Sequence, residues 1–459
     1  VPLDVAATYI ILFTIYGAVL QYSGAGTFFL DWATAVMGRG ASGASPGRTV
    51  TLAGFLLGTV SGSGVATTVM LGSVAWPLLR QAGYPAEVGG AILSAAGIGA
   101  ILSPPTLGAA AFLIAEFLHI SYLQVLVMAT IPTLLYYLSI FIMIEADSRR
   151  LGTRAVAGPR VSAWALTWKY GYHFTSLFAI AVLMASGFTA FRAVFWATGL
   201  AIALSYLRRE TALTPRRLLQ ALETGATGVL AVAATTATAG IIVGVVTLTG
   251  LGLKIAGIIV TLAGGQLLLT VIYAAIAVWL LGLAVPVTAS YIIAAVMVAP
   301  ALTRVGVAPV AAHMFIFYYA VLSEVSPPTA LSPFAAAALT GGNPFRTMML
   351  TWKFTLPAFL VPFVFTLSRD GLGVLLQASA PVVAVTSLTA AIGVVALALA
   401  AGGWITQRAN AGERAGAALA GLLLLYPGGR IDLLGIGVLA MTVAVHRWRV
   451  SRVLRSEGG

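Results

Sequence analysis

Apolar runs long enough to cross a bilayer dominate the chain, since about 20 helical residues traverse the hydrocarbon core. They fall at 5–22, 88–118, 121–145, 173–186, 188–206, 226–247, 310–339, 350–367 and 382–401. A shorter pair, 415–427 and 431–446, is separated by Tyr426, Pro427, Gly428 and Gly429. Segments 27–38, 212–224 and 254–263 are shorter and amphipathic, and are expected to lie along the membrane surface. Two stretches do not fit single spans. Residues 49–79 carry Ser61, Gly62, Ser63 and Gly64 near their middle, and 266–300 carry Val285, Pro286, Val287 and Thr288. Each half is too short to cross alone, so each stretch is expected to be a re-entrant helical hairpin.

Composition agrees. Hydrophobic residues make up 60% of the 459 and charged residues 8%, against about 25% charged in soluble domains. With so few charges, the outer surface must face lipid. The net charge of +12 gathers beside spans: Arg149, Arg150, Arg154, Arg160 and Lys169; then Arg208, Arg209, Arg216 and Arg217; then Arg447, Arg449, Arg452 and Arg455. That is the positive-inside signal, and it argues against nucleic acid. It places these clusters and the C-terminus in the cytoplasm. Arg39, Arg48 and Arg80 then flank the first hairpin on the cytoplasmic side. The second hairpin, poorer in Lys and Arg, is expected to enter from the opposite face. The absence of cysteine excludes disulfides and thiol chemistry.

A displaced self-match organises the chain. Ser103, Pro104, Pro105 and Thr106 recur as Ser326, Pro327, Pro328 and Thr329 at an offset of 223. Pro77 matches Pro300 and Gly83 matches Gly306 at the same offset; Ser61 matches Val285 at 224 and Pro132 matches Pro357 at 225. Gly24 and Gly26 match Gly250 and Gly252 at 226. The expected organisation is a first repeat over 1–145, a basic loop, two spans and an interfacial linker over 146–225, a second repeat over 226–367 and C-terminal spans over 368–459. In each repeat the order is span, interfacial helix, hairpin, broken helix (88–118 and 310–339) and span. Opposite orientation makes this an inverted repeat, the best sequence pointer to a secondary transporter with a midplane site.

The chemistry follows from the breaks. Two consecutive prolines remove backbone donors and interrupt a helix. Such backbone survives at membrane depth only when buried in protein or lining a wet cavity. Freed carbonyls and Ser or Thr hydroxyls are hard oxygen ligands for a small cation, and helix N-termini at the same break favour anions. The candidate cation and substrate residues are Ser61, Gly62, Ser63, Ser103, Pro104, Pro105 and Thr106, with Pro286, Thr288, Ser323, Ser326, Pro327, Pro328 and Thr329 from the second half. Sodium is a candidate ion at both tip-and-break sites. Glu324, two residues before Ser326, is a candidate proton-coupling group, since intramembrane carboxylates are functional candidates by default. A paired, structural Glu is an equal alternative. His313 fits helix packing better than a proton relay, and Gly97 and Gly99 fit close packing. No catalytic triad, phosphate loop or metal-ligand spacing is present, so no enzyme and no cofactor beyond a coupling ion is expected.

At these residues the chain resembles a known family. Gly58 to Thr67 followed by Ser103-Pro104-Pro105, and Ala312 to Tyr318 followed by Ser326-Pro327-Pro328, resemble the large membrane (permease) subunit of TRAP transporters, the DctM-like component. Leu425 to Gly428 and Asp432 to Gly435 are closest to its TAXI branch, in which large and small subunits are often fused. The resemblance implies an all-α, elevator-type importer in a prokaryotic cytoplasmic membrane. It implies symport of a small organic anion, commonly a carboxylate, with sodium or protons. It also implies two partners, a periplasmic substrate-binding protein and a small four-helix membrane subunit. Because Val1 is not an initiator Met, that small subunit is expected as a fused N-terminal part or a separate chain. A stand-alone elevator-type anion symporter is the alternative; a channel or membrane scaffold ranks lower, lacking a continuous polar pore.

Overall fold

A computed structural model describes residues 2–38, 42–156, 162–328 and 330–457. All regular structure among them is helical. The first half runs α1 (Pro2–Tyr22), α2 (Ala25–Met37), the pair α3 (Ser45–Ser61) and α4 (Gly64–Gln81), then α5 (Ala86–Ile98), α6 (Ala110–Leu118) and α7 (Tyr122–Leu151). Three intermediate helices follow, α8 (Ala163–Tyr170), α9 (Tyr172–Ala185) and α10 (Ala190–Ser205). The second half runs α11 (Pro215–Leu248), α12 (Leu251–Leu262), the pair α13 (Leu267–Gly282) and α14 (Val287–Met297), α15 (Ala299–Arg304), α16 (Pro309–Ser323), α17 (Leu331–Thr340) and α18 (Pro344–Leu367). After a 3-10 turn at Asp370–Leu375 come α19 (Ala380–Gly402), α20 (Ala411–Leu424) and α21 (Gly429–Glu457).

The boundaries have local causes. Gly62 takes a left-handed conformation (φ 58°) that ends α3, and Ser63 then caps α4 by accepting from Ala66 N. A capping box between Ser121 and Gln124 starts α7, and left-handed Gly152 (φ 63°) ends it. Asn343 caps α18 ahead of Pro344, the position where proline costs no hydrogen bond. The segment 212–224 corrects an expectation. It is not a separate surface helix: Pro215 opens one uninterrupted 34-residue helix that continues to Leu248. At 1.5 Å per residue, about 50 Å of helix reaches beyond the hydrocarbon, so its charged first turns need no break.

Seven described helices are long and apolar enough to cross a membrane: Pro2–Tyr22, Tyr122–Leu151, Pro215–Leu248, Val287–Arg304, Pro344–Leu367, Ala380–Gly402 and Gly429–Arg452. Large apolar side chains stand outward, including Phe178, Phe195, Trp196, Leu230, Ile241 and Leu248. So many large apolar side chains exposed together call for lipid as their solvent. The chain is a multi-pass membrane protein.

The two halves interlock. α1 packs along α11, where Gly225 lets the chains meet at Ile15 and Tyr22 shares a 3.0 Å hydrogen bond with Thr224. α17, from the second half, packs on α4 and α5 of the first. The α3–α4 pair starts beside the end of α7, with Arg48 paired to Glu145. The α14 arm instead lies beside α6, with Tyr291 near Phe117, just before α7 begins. The two helix pairs therefore approach the centre from opposite ends of α7.

Candidate functional site

Four interruptions meet at one place. The tip between α3 and α4, the tip between α13 and α14, and the gaps between α5 and α6 and between α16 and α17 line a single cavity of about 430 Å³. Gly62, Ser63, Gly64 and Val65 come from the first tip, and Gly282 to Thr288 from the second. Ile101, Gly108, Ala109 and Ala110 come from the first gap, Ser323, Glu324 and Leu331 from the second, and Val232 closes one side.

This arrangement aims helix ends at the cavity. The N-termini of α4 (Gly64), α6 (Ala110), α14 (Val287) and α17 (Leu331) all contribute lining residues. The first N–H groups of each lack a partner within the helix, and each end carries roughly half a positive charge. At the same interruptions the preceding helices end, near Gly62, Gly282 and Ser323 and, after a 3-10 turn over Gly99–Leu102, beside Ile101. Among the lining residues Glu324 alone is ionisable. The site thus offers donors to an anion and carbonyl ends to a cation within one cavity.

The sequence candidates divide into those on the cavity and those behind it. Gly62, Ser63, Pro286, Thr288, Ser323 and Glu324 line it. Ser61 stands just behind the first tip, bonded to Thr67 Oγ1 at 2.5 Å and accepting from Ser63 N at 3.2 Å, so it holds the tip closed. Thr106 is buried and donates to the carbonyl of Thr59, tying the α5–α6 gap to α3. Ser103 and Ser326 are buried equivalents, each donating at 2.8 Å to a carbonyl four residues earlier, Gly99 and Leu322. Pro104, Pro105, Pro327 and Pro328 do not line the cavity; both Pro–Pro peptides are cis. Thr329 lies outside the described residues.

The freed carbonyls are largely used by the chain itself. Ile101 O accepts from Gly108 N at 2.9 Å, Leu102 O from Thr133 Oγ1 at 2.6 Å and Ser326 O from Ala330 N at 3.2 Å. The Ser-Pro-Pro segments therefore end helices and brace the gaps, and the cavity wall is made by the residues flanking them.

Glu324 reaches across the halves. It accepts from Ser332 Oγ at 3.0 Å, and its carboxylate also lies against the Val65 backbone N–H at the start of α4. The approach needs glycine at position 64, where a Cβ would stand 3.1 Å from Glu324 Oε1 and 3.2 Å from Ile98 Cα. The carboxylate therefore sits on the N-terminus of a helix from the other half, where a negative charge is favoured. His313 bonds Tyr291 at 2.8 Å and stacks on Phe117, off the cavity, as a packing residue does. Gly97 and Gly99 sit at close contacts: a Cβ would meet Thr68 N at 2.8 Å and Tyr136 Cε1 at 2.9 Å.

Gly108, Gly282, Val65 and Val232 escaped the sequence reading. The glycines carried a usable signal, each sitting beside a helix interruption. Val65 carried the same signal, one residue beyond the first tip; Val232 carried none, because only packing brings it to the cavity.

Known proteins place the chain in a group. The family model for "Tripartite ATP-independent periplasmic transporter, DctM component" matches residues 2–370. Over 95 residues, 21% of the chain, it is 32% identical to the C4-dicarboxylate TRAP transporter large permease protein DctM of Rhodobacter capsulatus, and the match covers 21% of that protein.

Proposed function

The chain belongs to the DctM component family of tripartite ATP-independent periplasmic transporters, and from that premise we propose that it is the permease subunit of an importer of a small organic anion. The observation that carries this reading is the convergence of four helix N-termini on one 430 Å³ cavity. That volume suits a small metabolite, and the N–H groups suit a carboxylate. The relative's C4-dicarboxylate designation makes dicarboxylates the first anions to test.

The rest of the proposal is what membership of the family implies. The two helix pairs act as re-entrant hairpins in an inverted repeat, and the domain they bound moves across the membrane as an elevator. The cytoplasmic membrane of a prokaryote is its location, with the Arg-rich end and C-terminus inside. A periplasmic binding protein delivers the anion, and a small four-helix subunit, separate or fused as in the TAXI branch, completes the membrane part. Symport is driven by sodium at the tip-and-gap oxygens around Ser61 to Ser63, Ser103 to Thr106, Pro286 to Thr288 and Ser323 to Thr329, by protons through Glu324, or by both.

Uptake into proteoliposomes, with the binding protein supplied, tests the reading. Imposed sodium or proton gradients should drive accumulation of the anion. Ser61→Ala, which loosens the first tip, should raise the sodium concentration needed for half-maximal rate several-fold. Uptake indifferent to both gradients would exclude symport.

A further inference from the structure

A second cavity, of about 430 Å³, lies away from the site, between α18, α19 and α20. Leu356, Pro357 and Leu360 form its α18 wall at helical spacing, and Leu397 stands on α19. The rest is alanine from α19 and α20, small enough to leave a groove, with Arg414 as its one polar lining side chain. The helices α19 and α20 lie beyond the residues matched to the family.

One end of the groove is cationic. Arg414 donates to Ala400 O at 2.8 Å and has no acidic partner among the described residues. Its neighbour Glu413 is already held by Arg449 at 2.7 Å and by His446 at 2.9 Å. Lys353 stands one turn before Leu356 on α18, and a Cβ on Gly403, next to Gly402, would stand 3.5 Å from Arg414 Nε. Lys353 shares the carboxylate of Asp147 with Arg150, at 3.3 and 3.0 Å. Two cations thus share one carboxylate, and Arg414 has none. This end adjoins the end of α7, where a Cβ on Gly402 would stand 3.1 Å from Ala146, the residue before Asp147.

We propose that this groove binds one anionic phospholipid, an acyl chain lying along α18 and the phosphate bridging Arg414 and Lys353. The charge decides the occupant. A partner helix satisfies its own backbone and could pack on this alkyl-and-alanine wall, but an apolar one supplies no anion for Arg414. A second copy of the chain would bury the unpaired Arg414 charge. An acyl chain needs no hydrogen bonds, and a phosphate supplies the missing anion, as at other clusters of Lys and Arg beside a bilayer.

Native mass spectrometry of the full chain in mild detergent tests this, with phosphatidylglycerol and phosphatidylcholine of identical acyl chains as probes. Phosphatidylglycerol should be retained preferentially, and Arg414→Gln should cut that preference about fivefold. Asp147 keeps both its partners in that variant, which gives up only the bond to Ala400 O, so its melting temperature without lipid should fall only slightly. Ala401→Phe, which fills the groove, should release both lipids; should that variant not fold, Arg414→Gln decides alone. Equal retention of the two lipids, or a preference unchanged in Arg414→Gln, would overturn the assignment. So would a dimer that Ala401→Phe dissociates, since the groove would then belong to a second copy.

Discussion

Replacing Glu324 with Gln removes the one ionisable group on the anion cavity while keeping its shape and the acceptor that Ser332 uses. An ionised Glu324 competes with an incoming carboxylate for the same N–H groups at the start of α4. A cavity of 430 Å³ is roughly 9 Å across, so two anions inside it stand about 6 Å apart. At an effective dielectric constant near 20 their repulsion is about 3 kcal/mol, equivalent to about a hundredfold in affinity. That figure is a ceiling, because a protonated Glu324 repels nothing. Initial uptake rates in proteoliposomes, measured from pH 5.5 to 8.5 with the binding protein saturated, separate the cases. The variant should show a KM lower than wild type by ten- to a hundredfold at the alkaline end, and nearly independent of pH. The wild-type KM should fall toward it as the medium is acidified. Equal KM values at alkaline pH, or a variant weaker than wild type throughout, would refute the competition. If Glu324→Gln also loses proton-driven accumulation, the residue couples protons; if pH-driven uptake survives, Glu324 is not the proton-coupling group.

Other predictions concern stability. Asp147→Asn strips Lys353 and Arg150 of the buried carboxylate they share and should cost about 3 kcal/mol, read as a lower melting temperature in detergent; adding Lys353→Met should recover part of it. Burial would raise the Glu413 carboxyl, but hydrogen bonds from Arg449, His446 and the Asn410 N–H outweigh it and hold it at about 2. Its stabilisation is therefore complete above the ordinary glutamate range and is lost as pH falls toward about 2. Melting temperature should drop over that acid window, and Glu413→Gln should flatten the drop.

Sequence reasoning reached the interruptions because their causes are local. Gly62 ends a helix by its backbone freedom, and Pro104 and Pro105 end one by the donors they lack. It failed at 212–224, where Arg216, Arg217 and Glu223 suggested a surface helix but nothing between Pro215 and Leu248 stops the helix. It also placed Ser103, Ser326 and the two Pro–Pro pairs at the binding surface, whereas they brace it from behind. Most of all, position along the chain could not say that Glu324 meets Val65, some 260 residues earlier. That contact depends on how the halves interlock, with α17 wedged on α4 and α5, and no periodicity encodes it.

The central claim is that four helix N-termini make the cavity a site for anions. The chain has no cysteine, so Val287→Cys, made together with Glu324→Gln to remove the one competing charge, places a single thiol at the start of α14 on the cavity wall. Its labelling by an anionic and a cationic methanethiosulfonate of similar size can be compared, each rate normalised to that of a free thiol. The account predicts that the anionic reagent reacts at least about tenfold faster, since each N-terminus contributes up to about 1 kcal/mol toward a negative charge. Equal rates, or faster labelling by the cationic reagent, would contradict it.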